Sequence, residues 1–181
     1  LPENFSYATY AREGFFQLCA VAVINLVVIV AVLLFLKRES KVNSAILKSI
    51  ILIFSLSTLI LISTAVAKMI MYIDTYGLTP KRVYSTWFML LIALVFILLS
   101  LKLFIKKLKV VAVSFALAVT MFALIALPNV DAYIAKYNIE RYINGTLNTV
   151  DLEAMEDLGT SAIPSIIELD KYLNDKEKTQ E

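Results

Sequence analysis

The sequence predicts an all-α polytopic membrane protein, with four transmembrane helices followed by a small helical extracytoplasmic tail. Three observations predict it. Of 181 residues, 60% are hydrophobic and the mean hydropathy is +0.78, where a soluble domain is typically about 45–50% apolar. Four uncharged stretches, 14–36, 49–67, 83–101 and 110–130, each approach the roughly 20 residues that carry a helix across a bilayer. Charge is also divided along the chain. Residues 1–130 hold 12 Lys/Arg and 4 Asp/Glu, a net +8, whereas residues 131–181 hold 5 and 11, a net −6. A basic membrane part is thus followed by an acidic soluble part.

All four spans must be helical, because hydrocarbon offers no partner to an unpaired backbone group. The first, 14–36, follows the charge pair Arg12–Glu13 and carries Gln17, Val21 and Asn25 on one face at i, i+4 spacing. On the second, 49–67 and its continuation, Ser57, Thr64, Lys68 and Tyr72 share a face. Asp74 follows, and Lys81, Arg82 and Tyr84 open the third span, 83–101. These groups predict an outer polar cluster of Arg12, Glu13, Gln17, Lys68, Tyr72, Asp74, Arg82 and Tyr84, with Asn25, Ser57 and Thr64 as intramembrane polar positions. Polar side chains of membrane helices turn towards partners. Lys68 needs a carboxylate, and Glu13 on a facing helix is expected to supply it, while Arg12 or Arg82 takes Asp74. Helix adhesion and interfacial anchoring would place the same residues there without any pocket.

The fourth span ends near 128, where Pro128 stops or kinks the helix. Residues 1–128 are therefore the membrane region, 129–175 a small helical segment and 176–181 a disordered tail. In the segment, Asn129 caps a new helix whose apolar face holds Val130, Tyr133, Ile134 and Tyr137. "NGTLNT" reads as a turn, and "VDLEAMEDLG" as a short helix ending at Gly159. "TSAIPSIIELDKYL" reads as another helix, with Thr160 or Ser161 as cap and Pro164 in the first turn.

Basic residues set the orientation. Lys37, Arg38, Lys41, Lys48, Lys102, Lys106, Lys107 and Lys109 lie on one side, against Arg12, Lys68, Lys81 and Arg82 on the other. The richer side is expected in the cytoplasm, which leaves both termini extracytoplasmic. All nine tyrosines fall on the expected outer side, as an aromatic belt or a structured outer platform would place them.

Chemistry is nearly silent. Histidine is absent and Cys19 is the one cysteine, so the usual general base and any internal disulfide are missing. No phosphate loop, dinucleotide glycine pattern, nucleophile elbow or metal-ligand spacing occurs. The acidic run Asp151, Glu153, Glu156 and Asp157 lacks calcium-loop spacing and reads as a solvated helix face. No cofactor or metal is expected, and the lysines need no nucleic acid to explain them.

"YAREGFFQLCAVAVINLVV", "MYIDTYGLTPKRVYSTWFM", "LPNVDAYIAKYNIERY" and "DLEAMEDLGTSAIPSIIEL" resemble the bacterial multi-pass membrane family DUF4173, related to DUF4153, which has no known function. The resemblance implies a bacterial plasma-membrane protein with further spans upstream. It also implies a shared site at Arg12, Glu13, Gly14, Tyr72, Gly77, Leu78, Thr79, Arg82, Asn129, Tyr137 and Asn138. It brings no activity, substrate or cofactor. The expected function is a non-enzymatic sensory, regulatory or envelope-associated component with an outer binding surface. Its expected partners are membrane lipid, the upstream spans and a protein at the outer face and tail. A transporter or channel subunit is the first alternative. The second is a membrane enzyme acting on lipid or envelope sugar, with its catalytic part upstream and Glu13 or Asp74 as acid or base.

Overall fold

The computed structural model describes residues 17–18, 20–29, 31, 41–105 and 107–180, and the regular structure among them is helical. In chain order the helices are Ala20–Ile29 (α1), Lys41–Tyr76 (α2), Pro80–Phe104 (α3), Val110–Ala126 (α4) and Val130–Ile143 (α5). Leu152–Glu156 (α6), a 3-10 turn at Gly159–Ala162 and Ile163–Gln180 (α7) follow. The first expected span is described chiefly as α1; Arg12, Glu13, Gly14 and Cys19 lie outside the described residues.

The apolar runs mark candidate spans rather than helix ends. At 36 residues α2 extends well beyond the apolar run 49–67 at both ends, because nothing between Lys68 and Tyr76 breaks a helix; Gly77 does. By length and composition, Ala45–Tyr76 and α3 can each cross a membrane. The pair α4 and α5 adds a third if it forms one span, bent by 61° at its break. The described residues therefore give two to three candidate spans. The bend falls where the sequence places it: the last α4 turn closes through Leu127 N–H to Ala123 O (3.0 Å), and Asn129 caps α5 by accepting from Ala132 N–H at 3.1 Å.

The described chain forms two compact units. One comprises residues up to Met69 with Thr86–Met121, the other Ile70–Ser85 with the residues from Phe122 onward. In the first, α2 buries Leu47, Ile51, Ser55, Thr58, Ile62 and Met69, and α3 buries Met89, Phe96, Leu99 and Leu103. Steps of three, four and seven residues keep each set on one helix face, and Leu47, Ile51, Phe96, Leu99 and Leu103 share one apolar cluster with Ala22 and Ile29. Ala22, Asn25 and Ile29 of α1 supply a matching stripe. The opposite faces are equally apolar: Ile53, Ile60 and Met71 of α2 are each more than 60% exposed. Helices apolar all round belong in hydrocarbon rather than water.

Inside this unit the Asn25 amide donates to Thr58 Oγ1 at 2.7 Å, and that hydroxyl donates to Phe54 O at 2.8 Å. Ser55, fully buried one turn away, has no hydrogen-bond partner for its hydroxyl among the described residues. We therefore expect Ser55→Ala to leave the protein unchanged or raise its stability by about 1 kcal/mol, since it removes an unsatisfied polar group. Thr58→Val should cost a similar amount, because the Asn25 amide loses its acceptor. Thermal unfolding in one detergent checks both; a clear loss for Ser55→Ala would show that its hydroxyl is bonded.

In the second unit α5, α6, the 3-10 turn and α7 enclose a core of Ile134, Ala135, Ile139, Met155, Leu158, Ala162 and Leu169. Two residues of the α2–α3 region, Leu78 and Val83, pack against it. The buried face of α5 differs from the expected one. Ile134 is buried as expected, but Ala135, Asn138 and Ile139 join it while Tyr133 is 63% exposed. Tyrosine keeps its hydroxyl wet more cheaply than isoleucine keeps its methyls there. At the far end of α5, Gly145 (φ +70°) closes a Schellman turn, with Thr146 N–H on Arg141 O at 2.9 Å and Gly145 N–H on Tyr142 O at 3.0 Å.

The short helix after the "NGTLNT" turn is capped by Asp151, which accepts from Ala154 N–H at 3.0 Å. The last helix starts at Ile163, after the 3-10 turn, rather than on a Thr160 or Ser161 cap; Pro164 is in its first turn as expected. It then runs through Gln180, where a disordered tail was expected from Lys176. Four-residue spacing explains the extension. Asn174 Nδ2 donates to Asp170 at 3.2 Å and the Lys176 ammonium lies 5.9 Å from the Tyr172 ring, and such pairs stabilise exposed helix.

Candidate functional site: the clamp on the α2–α3 turn

An α-helix ends with carbonyls that have no helical partner and with partial negative charge. The last turn of α2 contains no basic residue to offset it. Gly77, in the left-handed region at φ +77°, closes the helix through its N–H to Ile73 O at 2.8 Å. Further carbonyls are met from other elements of the same unit. Arg141 of α5 donates to Asp74 O (3.1 Å) and Ile73 O (3.4 Å). Arg82 of α3 donates to Tyr76 O at 3.1 Å and also to Gly77 O. Two guanidinium groups thus sit on the negative end of one helix, and a planar fork with several donors suits the task.

Beyond Gly77, Leu78 pairs with Asn138 as one strand pairs with another. Its N–H donates to Asn138 Oδ1 and its carbonyl accepts from Asn138 Nδ2, both at 2.7 Å. The Leu78 side chain meanwhile packs on the α5–α7 core. Thr79 then precedes Pro80, which occupies the first position of α3, where its missing N–H costs nothing.

Aromatic rings line the clamp. The Arg82 guanidinium lies 4.2 Å from the centre of the Tyr72 ring, and Tyr72 and Tyr76 are 5.0 Å apart, tilted by 57°. Arg141 lies 5.6 Å from the Tyr137 ring, which stacks on Tyr133 at 6.3 Å. Arg141 also donates to Thr146 O (3.1 Å) and Thr146 Oγ1 (3.3 Å). Its side chain is mostly buried, at 18% exposure.

The expected cluster is therefore partly assembled. Tyr72, Asp74 and Arg82 come together here, as do Gly77, Leu78, Tyr137 and Asn138 of the set implied by the resemblance. Asn129 instead caps α5. Tyr84 belongs to the same unit and is exposed, while Gln17 and Lys68 are exposed residues of the other unit. The Glu13–Lys68 contact lies outside the described residues, as does any role of Arg12. The partner of Asp74 differs from the expected one: its carboxylate meets Arg141 at 3.6 Å. Arg82 is directed at the turn carbonyls instead. Of the intramembrane positions, Asn25 is buried, but Ser57 and Thr64 are exposed, and the Thr64 hydroxyl bonds back to Ile60 O at 2.9 Å. Thr58 and Ser55 hold the buried places.

Arg141 was missed. Its signal was its place at i+7 from Ile134, with Asn138 between, so that two polar residues continue the buried stripe of α5. Its importance also predicts an order of effects. The Asp74 side chain is 63% exposed, so Asp74→Asn should change stability by less than about 1 kcal/mol. Arg141→Lys keeps the charge but loses the fork over four acceptors, and should cost about 2 kcal/mol. Thermal unfolding of both variants measures the order; a larger loss for Asp74→Asn than for Arg141→Lys would make the ion pair, rather than the carbonyl contacts, the source of stability.

Chemically the clamp holds backbone. Its cations face carbonyls and rings, and no group of three or more Asp, Glu or Cys among the described residues could hold a metal ion. A family model described as a domain of unknown function, DUF4153, matches residues 1–169. No curated protein and no solved structure matches the chain.

Proposed function

The chain belongs to the DUF4153 family, a domain of unknown function, and on that footing we propose a non-catalytic membrane component that presents a rigidly mounted helical domain for binding. The single observation carrying this reading is the clamp. Asn138 and Arg141 fix the α5–α7 domain to the α2–α3 turn through hydrogen bonds to four backbone groups. A binding event on that domain would therefore pull directly on the end of a membrane helix, as a sensory or regulatory part requires.

In this reading α1, α2, α3 and α4 are four spans, and the protein sits in a bacterial plasma membrane. The turn at Gly77 and the tail share one side, which fits the contacts between Leu78 and Asn138. The basic bias makes that side extracytoplasmic.

The test places photo-crosslinking residues at the exposed positions Tyr133 and Ile167 in the complete membrane-embedded protein. A discrete, light-dependent protein adduct, lost when an unlabelled competitor tail is added, is expected. Adducts with lipid alone would overturn the binding role. Solute flux in proteoliposomes of the same protein would favour a transporter. Topology is checked separately in a Cys19→Ser background. Lys107→Cys should label from the cytoplasm and Lys171→Cys from outside, and the reverse pattern would invert the orientation.

A further inference from the structure

Backbone hydrogen bonds tie the described residues at the turn between α3 and α4. Ile105 N–H donates to Leu101 O (2.8 Å), Leu108 N–H to Ile105 O (3.1 Å), and Val113 N–H to Lys109 O (3.0 Å). The Lys102 ammonium crosses the turn to Leu108 O at 2.6 Å. Lys107 and Lys109 are exposed on this fixed turn. Beside them stand large apolar residues that are also exposed, Phe104 (73%), Ile105 (49%) and Val111 (85%). The sequence has no Asp or Glu between Asp74 and Asp131. More broadly, the described residues of this unit contain no carboxylate at all.

We propose that this turn is a binding site for anionic phospholipid, with Lys107 and Lys109 on the headgroup phosphate and Phe104, Ile105 and Val111 against the acyl chains. Charge complementarity selects the occupant. Two exposed ammonium groups, in a stretch of sequence without Asp or Glu from 75 to 130, favour an anionic occupant. The apolar flank separates a lipid from free phosphate, because only a lipid carries chains to cover it. Lysine suits the level of the headgroups, since its stem lies along hydrocarbon while its ammonium reaches the polar layer. Each such lysine contributes measurably to attraction by an anionic leaflet. The site rests on α3 and α4 being membrane-embedded, which belongs to the function proposed above.

The test uses the complete protein in nanodiscs of pure phosphatidylcholine and of an equal mixture with phosphatidylglycerol. Lipids retained after extraction into detergent are counted by native mass spectrometry. Phosphatidylglycerol should be retained preferentially. Lys107→Gln with Lys109→Gln should reduce that preference by about tenfold at low salt. Lys107→Arg with Lys109→Arg should keep it, which controls for misfolding, and Lys171→Gln with Lys176→Gln on α7 should not alter it. Inorganic phosphate at millimolar concentration should not compete. Equal retention of the two lipids, or a preference untouched by the glutamine pair, overturns the site. Competition by phosphate would assign the turn to free anions instead. Entry into pure phosphatidylcholine discs reads membrane embedding separately, so loss of the preference alone leaves the membrane reading standing.

Discussion

Gly77→Ala is expected to release the α5–α7 domain from the α2–α3 turn. Two separate effects act at this position. Holding alanine at φ +77° costs about 1–2 kcal/mol. The added Cβ would also stand 2.8 Å from Asn138 Oδ1, closer than real contacts allow, and a tight 3.2 Å from its Cγ. The Asn138 amide must then retreat, and it cannot do so while keeping both hydrogen bonds to Leu78. A buried amide and carbonyl left unpaired cost about 1–3 kcal/mol each. The sum is about 3–8 kcal/mol, enough to speed exchange of the Leu78 amide hydrogen by at least on the order of a hundredfold. Gly145→Ala is the control. It has a similar φ of +70°, but nothing lies within 4 Å of the added carbon, so it should lose only the backbone term. Hydrogen exchange and thermal unfolding of the two variants separate strain from collision. Equal losses at both positions would mean that the Asn138 contact adds nothing.

What could be read ahead of the structure depended on whether the signal was local. Pro128 and Asn129 act within a few residues of themselves, so the break between α4 and α5 was legible. The turn around Gly145 is of the same kind, whereas the cap at Asp151 was not read from the sequence. The end of α2 was misplaced because loss of apolar character near Lys68 marks only the end of the apolar run, whereas the helix continues to Tyr76. The buried seam was misplaced for a related reason. In water, Ser57, Thr64 and Lys68 on one face would mark the outside. In lipid, polarity does not sort faces in that way, since an exposed threonine satisfies itself on the preceding turn, as Thr64 does. The heptad steps of Leu47, Ile51, Ser55, Thr58 and Ile62 were present in the sequence, but apolar residues on every other face hid them. The clamp was the least legible. A charge on an acidic tail reads as solvated, and only the return of α5 to the α2–α3 turn shows that Arg141 has four carbonyl and hydroxyl acceptors waiting.

That return also makes Asn138 a residue for which shape alone is insufficient. Its amide must accept from Leu78 N–H and donate to Leu78 O, each at 2.7 Å, while only 8% exposed. Asn138→Asp preserves the shape and the acceptor. It removes the donor and turns a second oxygen towards the Leu78 carbonyl. When ionised, that carboxylate is nearly buried beside an oxygen, so its folded pKa should lie above the ordinary range. The sign of the pH dependence follows. A carboxyl whose pKa is raised on folding costs no stability below its unfolded pKa, where it is protonated in both states. The cost grows as pH rises and levels off above the folded pKa. The protonated acid also has an O–H to donate to Leu78 O, restoring the pair. Asn138→Asp should therefore resemble the parent protein near pH 4 and be less stable by about 3 kcal/mol near pH 7. The parent, with an uncharged amide, gives the baseline, and Asn138→Ala should be destabilised at both pH values. Unfolding in detergent at the two pH values, referred to the parent at each, measures the difference. If Asn138→Asp is equally destabilised at both, or at neither, the paired hydrogen bonds to Leu78 are not what holds α5 to the turn.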